Sequence, residues 1–99
     1  MSANNGPAIH PGEVLRELYL EPLGMSAGAL AKILKVPRTR IERIASQQTG
    51  ITPDTALRLA RFFRTTPQFW LNMQASYDLK IQAPMLAKEL ETIPEMEAA

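Results

Sequence analysis

Twice in this 99-residue chain a threonine stands directly before a proline that opens a run with helical spacing, at Thr52-Pro53 and at Thr66-Pro67. A threonine hydroxyl can accept from the free N–H groups of a first helical turn, and a proline at the first position gives up only an N–H that has no partner there. Most of the eight prolines mark helix boundaries, and every readable segment between residues 11 and 80 has helical rather than alternating periodicity. The chain is therefore predicted to be all-α, with five helices. The first covers about 11–21, with Val14, Leu15, Leu18 and Tyr19 on its inner face, and ends at Pro22 and Gly24. Ser26 caps a second, with Leu30, Ile33 and Leu34 inward, which stops before Pro37. A third starts at Pro37 and Arg38, buries Ile41 and Ile44, and runs out in the polar stretch 46–50. The fourth buries Ala56, Leu59, Ala60 and Phe63, and the fifth carries Phe69, Trp70, Met73 and Tyr77. Beyond Lys80, Pro84 and Pro94 interrupt a charged segment, which reads as a mobile tail with one short helix over 85–91. The expected organisation is an N-terminal arm over 1–9, a helix-turn-helix domain over 10–79 and an acidic, partly mobile C-terminal tail over 80–99.

A chain of this length makes one core and buries only roughly 60–65% of the surface its unfolded form exposes, so it gains much by dimerising. The sequence has no cysteine, which removes disulfides and thiolate zinc sites. No apolar run approaches the roughly 20 residues of a membrane span, and the opening MSANNGPAIHPG lacks the layout of a signal peptide. These features predict a cytoplasmic protein with no membrane partner. The formal net charge of +1 hides an asymmetry: residues 32–64 hold eight cations against two anions, whereas residues 81–99 set Lys88 against Glu89, Glu91, Glu95 and Glu97. A basic middle with acidic flanks points to an anionic partner and to a second, cationic one. An unevenly charged, solvated surface is the plainer alternative.

The second and third predicted helices, joined by a turn of three to four residues, have the pattern of a helix-turn-helix. Small Ala31 lets the two helices cross closely, and burial of Ile41 and Ile44 sends Arg38, Thr39, Glu42 and Arg43 outward with Arg40 at the edge. Such side chains suit the major groove of double-stranded DNA: arginine bonds guanine edges in pairs, threonine offers a methyl to thymine, and glutamate accepts from cytosine. The segment from Gln47 to Thr49 would lie against phosphates. A lone arginine-rich helix is more often a solvated face, but here turn, small residue and local charge agree.

Residues 10–79 resemble the helix-turn-helix antitoxins of the HigA type, also known as virulence-associated protein I-like, within the phage repressor-like regulators. The resemblance rests on HPGEVLRELYLEPLG, ALAKILKVPRTRIERI and GITPDTALRLARFFRTTPQFWLNMQASYDL. It implies an operator-binding homodimer that neutralises an mRNA-cleaving toxin and represses the operon encoding both. It also places Arg38, Thr39 and Arg43 at base edges, and Arg40 and Gln47 toward the sugar-phosphate backbone. Two positions depart from the wider pattern. Ala27 stands where many such repressors have a DNA-contacting glutamine, and Lys35 stands where the turn commonly has glycine. Lys35 should cost on the order of 1 kcal/mol if φ is positive there, offset by a phosphate contact.

His10 is the sole histidine, and without cysteines or paired carboxylates it builds no usual zinc site, so a structural role at the entry to the first helix is expected. Glu13 and Glu17 lie on a helix surface with no nucleophile or metal set beside them, and neither catalysis nor a cofactor is expected. The aromatic stripe of the fifth helix is core in its simplest reading; in a sharper one, Phe69 and Met73 turn inward while Trp70 or Tyr77 meets a second copy, and the candidate dimer surface is Trp70, Met73 and Tyr77. Glu13, Glu17 and Glu21 are candidates for contact with a cationic toxin. A stand-alone transcriptional regulator without a toxin, and a helical adaptor that binds only protein, are the alternatives.

Overall fold

The computed structural model describes residues 6–97, which form five helices. Helix α1 is continuous but of mixed geometry: an α-helical start at Pro11–Val14, a π-helical stretch at Leu15–Leu20 and an α-helical end at Glu21–Leu23. It is followed by α2 (Ala27–Leu34), α3 (Arg38–Ala45), α4 (Pro53–Phe63) and α5 (Pro67–Glu91). The cap expectations hold. Ser26, Thr52 and Thr66 each accept from the backbone N–H three residues on, at 3.0, 3.4 and 3.1 Å. Pro53 and Pro67 fill the first turns of α4 and α5.

The core is one cluster in which Leu15, Leu30, Ala31, Ile41, Ala56, Leu59 and Trp70 are fully enclosed. Two inner faces differ from expectation. In α1 the N–H of Glu21 reaches back five residues to the Arg16 carbonyl, and that wider winding brings Leu15 and Leu20 to the core together. Leu18, expected inside, is 66% exposed. Ile33 also lies at the surface, because α2 buries Leu30, Ala31 and Leu34 against α3 and α4.

Helix α5 does not end near Lys80. It continues to Glu91 with Pro84 inside it, so the tail expected over 80–99 is helical over its first dozen residues. Pro84 withholds one backbone bond from Lys80, but Met85 to Leu90 are mostly strong helix formers, and the segment is exposed, so water reaches the freed carbonyl. The outer half of α5 stands away from the domain and gives the molecule extents of 52 × 27 × 23 Å.

Candidate nucleic-acid interface

Helices α2 and α3 are joined by Lys35, Val36 and Pro37. The turn is closed by the Val36 N–H, which donates to the Ala31 carbonyl at 3.0 Å, and by Lys35 in the left-handed region at φ 62°. The expected glycine-like turn position is thus occupied by lysine. With Ile41 and Ile44 buried, Arg38, Thr39, Glu42 and Arg43 face solvent on the opposite side of α3. Arg38 Nε lies 3.3 Å from a Glu42 oxygen, one turn on. The Arg38 stem covers Gly28, where a Cβ would come 3.0 Å from Arg38 Cδ, so the first turns of α2 and α3 lie side by side. Gln47, also exposed, follows α3 at φ 67°.

Arg40, expected toward the DNA backbone, is turned to α4. Its guanidinium pairs with the Asp54 carboxylate, which accepts a second bond from Arg58 Nε at 2.9 Å. These two bonds hold the Asp54 carboxyl below the usual carboxylate range. Arg58 also donates to the Leu34 carbonyl at 2.8 Å, so one chain of contacts runs from α3 through α4 to the end of α2. Lys35 is exposed beside Arg58. Asp54 is one of the two anions counted in the basic stretch, and the charge pattern assigns it no partner. Its position within reach of both arginines is a tertiary outcome across fourteen residues.

Behind its exposed face, α3 is supported at its last turn by α1. Gly12 lies so close to the Ile44 carbonyl that a Cβ there would overlap the oxygen. Arg16 Nη1 donates to the Ala45 carbonyl at 3.4 Å, placing a cation at the negative end of α3. His10 caps α1: its Nδ1 accepts from the Gly12 N–H at 2.8 Å, and its ring stands edge-on to Tyr77 with centroids 4.9 Å apart. Burial lowers the His10 pKa, against the opposing pull of Asp78 and a hydrogen bond with the Thr49 backbone. The start of the HPGE string is therefore a local joint, in which His10 caps α1, Pro11 fills its first turn and Gly12 admits the Ile44 carbonyl. The loop after α3 is pinned from α5, where Gln74 Oε1 accepts from the Ile51 N–H at 2.7 Å. A Cβ at Gly50 would meet the Gln74 amide at 2.7 Å, and nothing in the sequence pattern signals this contact.

The fifth-helix stripe is not the surface expected of it. Trp70 is 0% exposed, lies 5.2 Å from Tyr19 and 6.3 Å from Phe63 between ring centroids, and donates from Nε1 to Thr65 Oγ1 at 2.8 Å. It cannot meet a second copy without leaving the core. Phe69, expected inside, is 38% exposed. Met73 packs on the core and Tyr77 on His10, both half-buried. On α1, Glu17 and Glu21 are exposed and Glu13 half-buried, with Arg16 3.0 Å from Glu17.

Two short helices crossing at a tight turn, the second with its polar face free, define a helix-turn-helix protein. The model of the helix-turn-helix family matches residues 15–70, and the chain belongs to that family. Virulence-associated protein I of Dichelobacter nodosus is 62% identical over 78 residues, spanning 79% of this chain and 72% of that protein. Among solved structures, the Pseudomonas aeruginosa antitoxin HigA with the higBA promoter is similar at 39% identity and a TM-score of 0.86, over 93% of this chain and all of that one. The antitoxin GraA in complex with its operator is similar at 36% identity and a TM-score of 0.89, over 99% of this chain and all of that one. The resemblance to HigA-type antitoxins and the repressor-like all-α fold read from the sequence both stand. No helix among the described residues is long and apolar enough to cross a membrane.

Proposed function

We propose that this chain is a cytoplasmic antitoxin that binds double-stranded operator DNA as a homodimer, represses its own operon and neutralises an mRNA-cleaving toxin. The observation that carries the DNA reading is the outward face of α3, where Arg38, Thr39 and Arg43 are exposed while Ile41 and Ile44 are locked inside. The operator complexes of HigA and GraA support it. Arg38, Thr39 and Arg43 meet base edges; Lys35 and Gln47 meet phosphates. Arg40 orients α3 through Asp54 and reaches a phosphate only at the margin. Arg38→Ala and Arg43→Ala should each weaken operator binding by about 1–3 kcal/mol and relax preference at one base pair, whereas Lys35→Ala should weaken all sequences alike and reduce the salt slope by about 1. Titrating operator and scrambled duplexes at two salt concentrations tests this. An unchanged operator-to-scrambled ratio in both arginine variants removes α3 as the reading helix.

Dimer contact falls to the outer half of α5. There Leu79, Ala83, Leu86 and Leu90 recur at four, three and four residues and form one exposed stripe. Toxin contact falls to the acidic side of α1, with Glu13, Glu17 and Glu21 facing a cationic partner. Co-purification of the toxin encoded next to this gene, with and without Glu13→Lys and Glu17→Lys, tests that assignment. Undiminished recovery refutes it, and a neighbouring gene of another kind favours a stand-alone regulator.

A further inference from the structure

A groove of about 560 Å³ opens between the end of α2 and α4. Exposed Ile33, Leu57 and Phe62 contribute its apolar surface, and Lys35, Arg61 and Arg64 stand at its edge. Its size lies in the range of pockets that hold a small ligand or several side chains. Arg58 and Arg61 stand one turn apart on α4, a spacing at which like charges repel, and Arg64 follows as the left-handed cap of the helix at φ 61°. Arg58 is engaged by Asp54 and the Leu34 carbonyl, while Arg61 and Arg64 have no ion pair among the described residues. Cations near the C-terminal end of α4 are favoured by its dipole, but that does not account for the three exposed apolar side chains they surround.

We propose that this groove receives the acidic segment 92–97 of a second copy of the chain, a reading that rests on the dimer proposed above. The segment carries the complementary pattern: Ile93 and Met96 are exposed three residues apart, Glu95 and Glu97 flank Met96, and Glu91 ends the helix just before them. It cannot fill the groove of its own copy. Helix α5 begins three residues after Arg64, and its 25 residues carry the chain about 37 Å away. Residues 92–97 span at most about 20 Å of return. A second copy paired along the outer half of α5 in antiparallel fashion brings its segment back toward this α4, and the contact requires neither operator nor toxin.

The test uses the full chain with Leu57→p-benzoylphenylalanine, mixed with an isotope-labelled copy, irradiated and mapped by mass spectrometry. Cross-links should join position 57 of one copy to residues 92–97 of the other. Arg61→Glu with Arg64→Glu should cut their yield by at least about tenfold, and adding Glu91→Lys, Glu95→Lys and Glu97→Lys should restore it. All five positions are exposed, so the fold should persist, as an unchanged melting curve would verify. Cross-links within one copy, cross-links to another segment, no cross-links, or a yield indifferent to the charge reversal each overturn the proposal.

Discussion

A methyl group added at Gly12 would land on the carbonyl oxygen of Ile44, in the last turn of the reading helix. Backbone cannot swing aside as a side chain can, so α1 must back away from α3 or α3 must tilt. Gly12→Ala should therefore cost about 1–3 kcal/mol or more, read as a lower denaturant midpoint. A midpoint equal to the parent's would mean that the two helices are not in close contact. His10, two residues earlier, makes stability depend on pH. Its folded pKa lies below the unfolded value of about 6.5 because burial disfavours the imidazolium and Nδ1 must accept from the Gly12 N–H. The unfolded chain therefore binds more protons in the interval between the two pKa values, and stability rises with pH across it. The His10 contribution is complete above about pH 6.5 and is lost as pH falls from there toward the folded pKa. Urea midpoints at pH 7.5 and 5.5 should differ in that sense for the parent and much less for His10→Ala.

At the scale of helices, what the sequence made legible was local and what it hid was tertiary. The Thr-Pro openings, the Ser26 cap and the burial of Ile41 and Ile44 depend on neighbours within a turn, and the structure places them as read. The inner face of α1 was misread because a 3.6-residue template does not anticipate π winding, which exchanges Leu18 for Leu20. Periodicity also cannot choose between adjacent aromatics. Phe69 and Trp70 differ by one position, and the choice is made by Tyr19 and Phe63, which come from α1 and α4. The outward arginines of the reading helix were legible for the same local reason, but the turning of Arg40 to Asp54 was not. Since Trp70 is enclosed by three helices, Trp70→Ala should cost roughly 3–5 kcal/mol in a thermal melt. A loss under about 1 kcal/mol would place the aromatic cluster outside the structural core.

The whole molecule is a compact helix-turn-helix domain with a helical arm. Leu86→Asp with Leu90→Asp should leave the domain's melting intact, because both residues stand clear of the core, yet shift the protein to monomer in sedimentation. Operator affinity should fall steeply with it, since two half-sites lie about one helical turn of DNA, roughly 34 Å, apart and must be read by two copies. Monomers that retain full affinity would mean that a single motif suffices. The arm also has a consequence for how such a protein can change by descent. Seven codons inserted in frame between Tyr77 and the pairing stripe would lengthen α5 by about two turns, roughly 11 Å, with the stripe still facing the same way. The core, the caps and every arginine of α3 would be untouched. On the proposed function, a gene edited in that way would encode the same exposed face of α3 with a different tolerance for the gap between half-sites, so new operator spacings are open to mutation without altering any residue of that face.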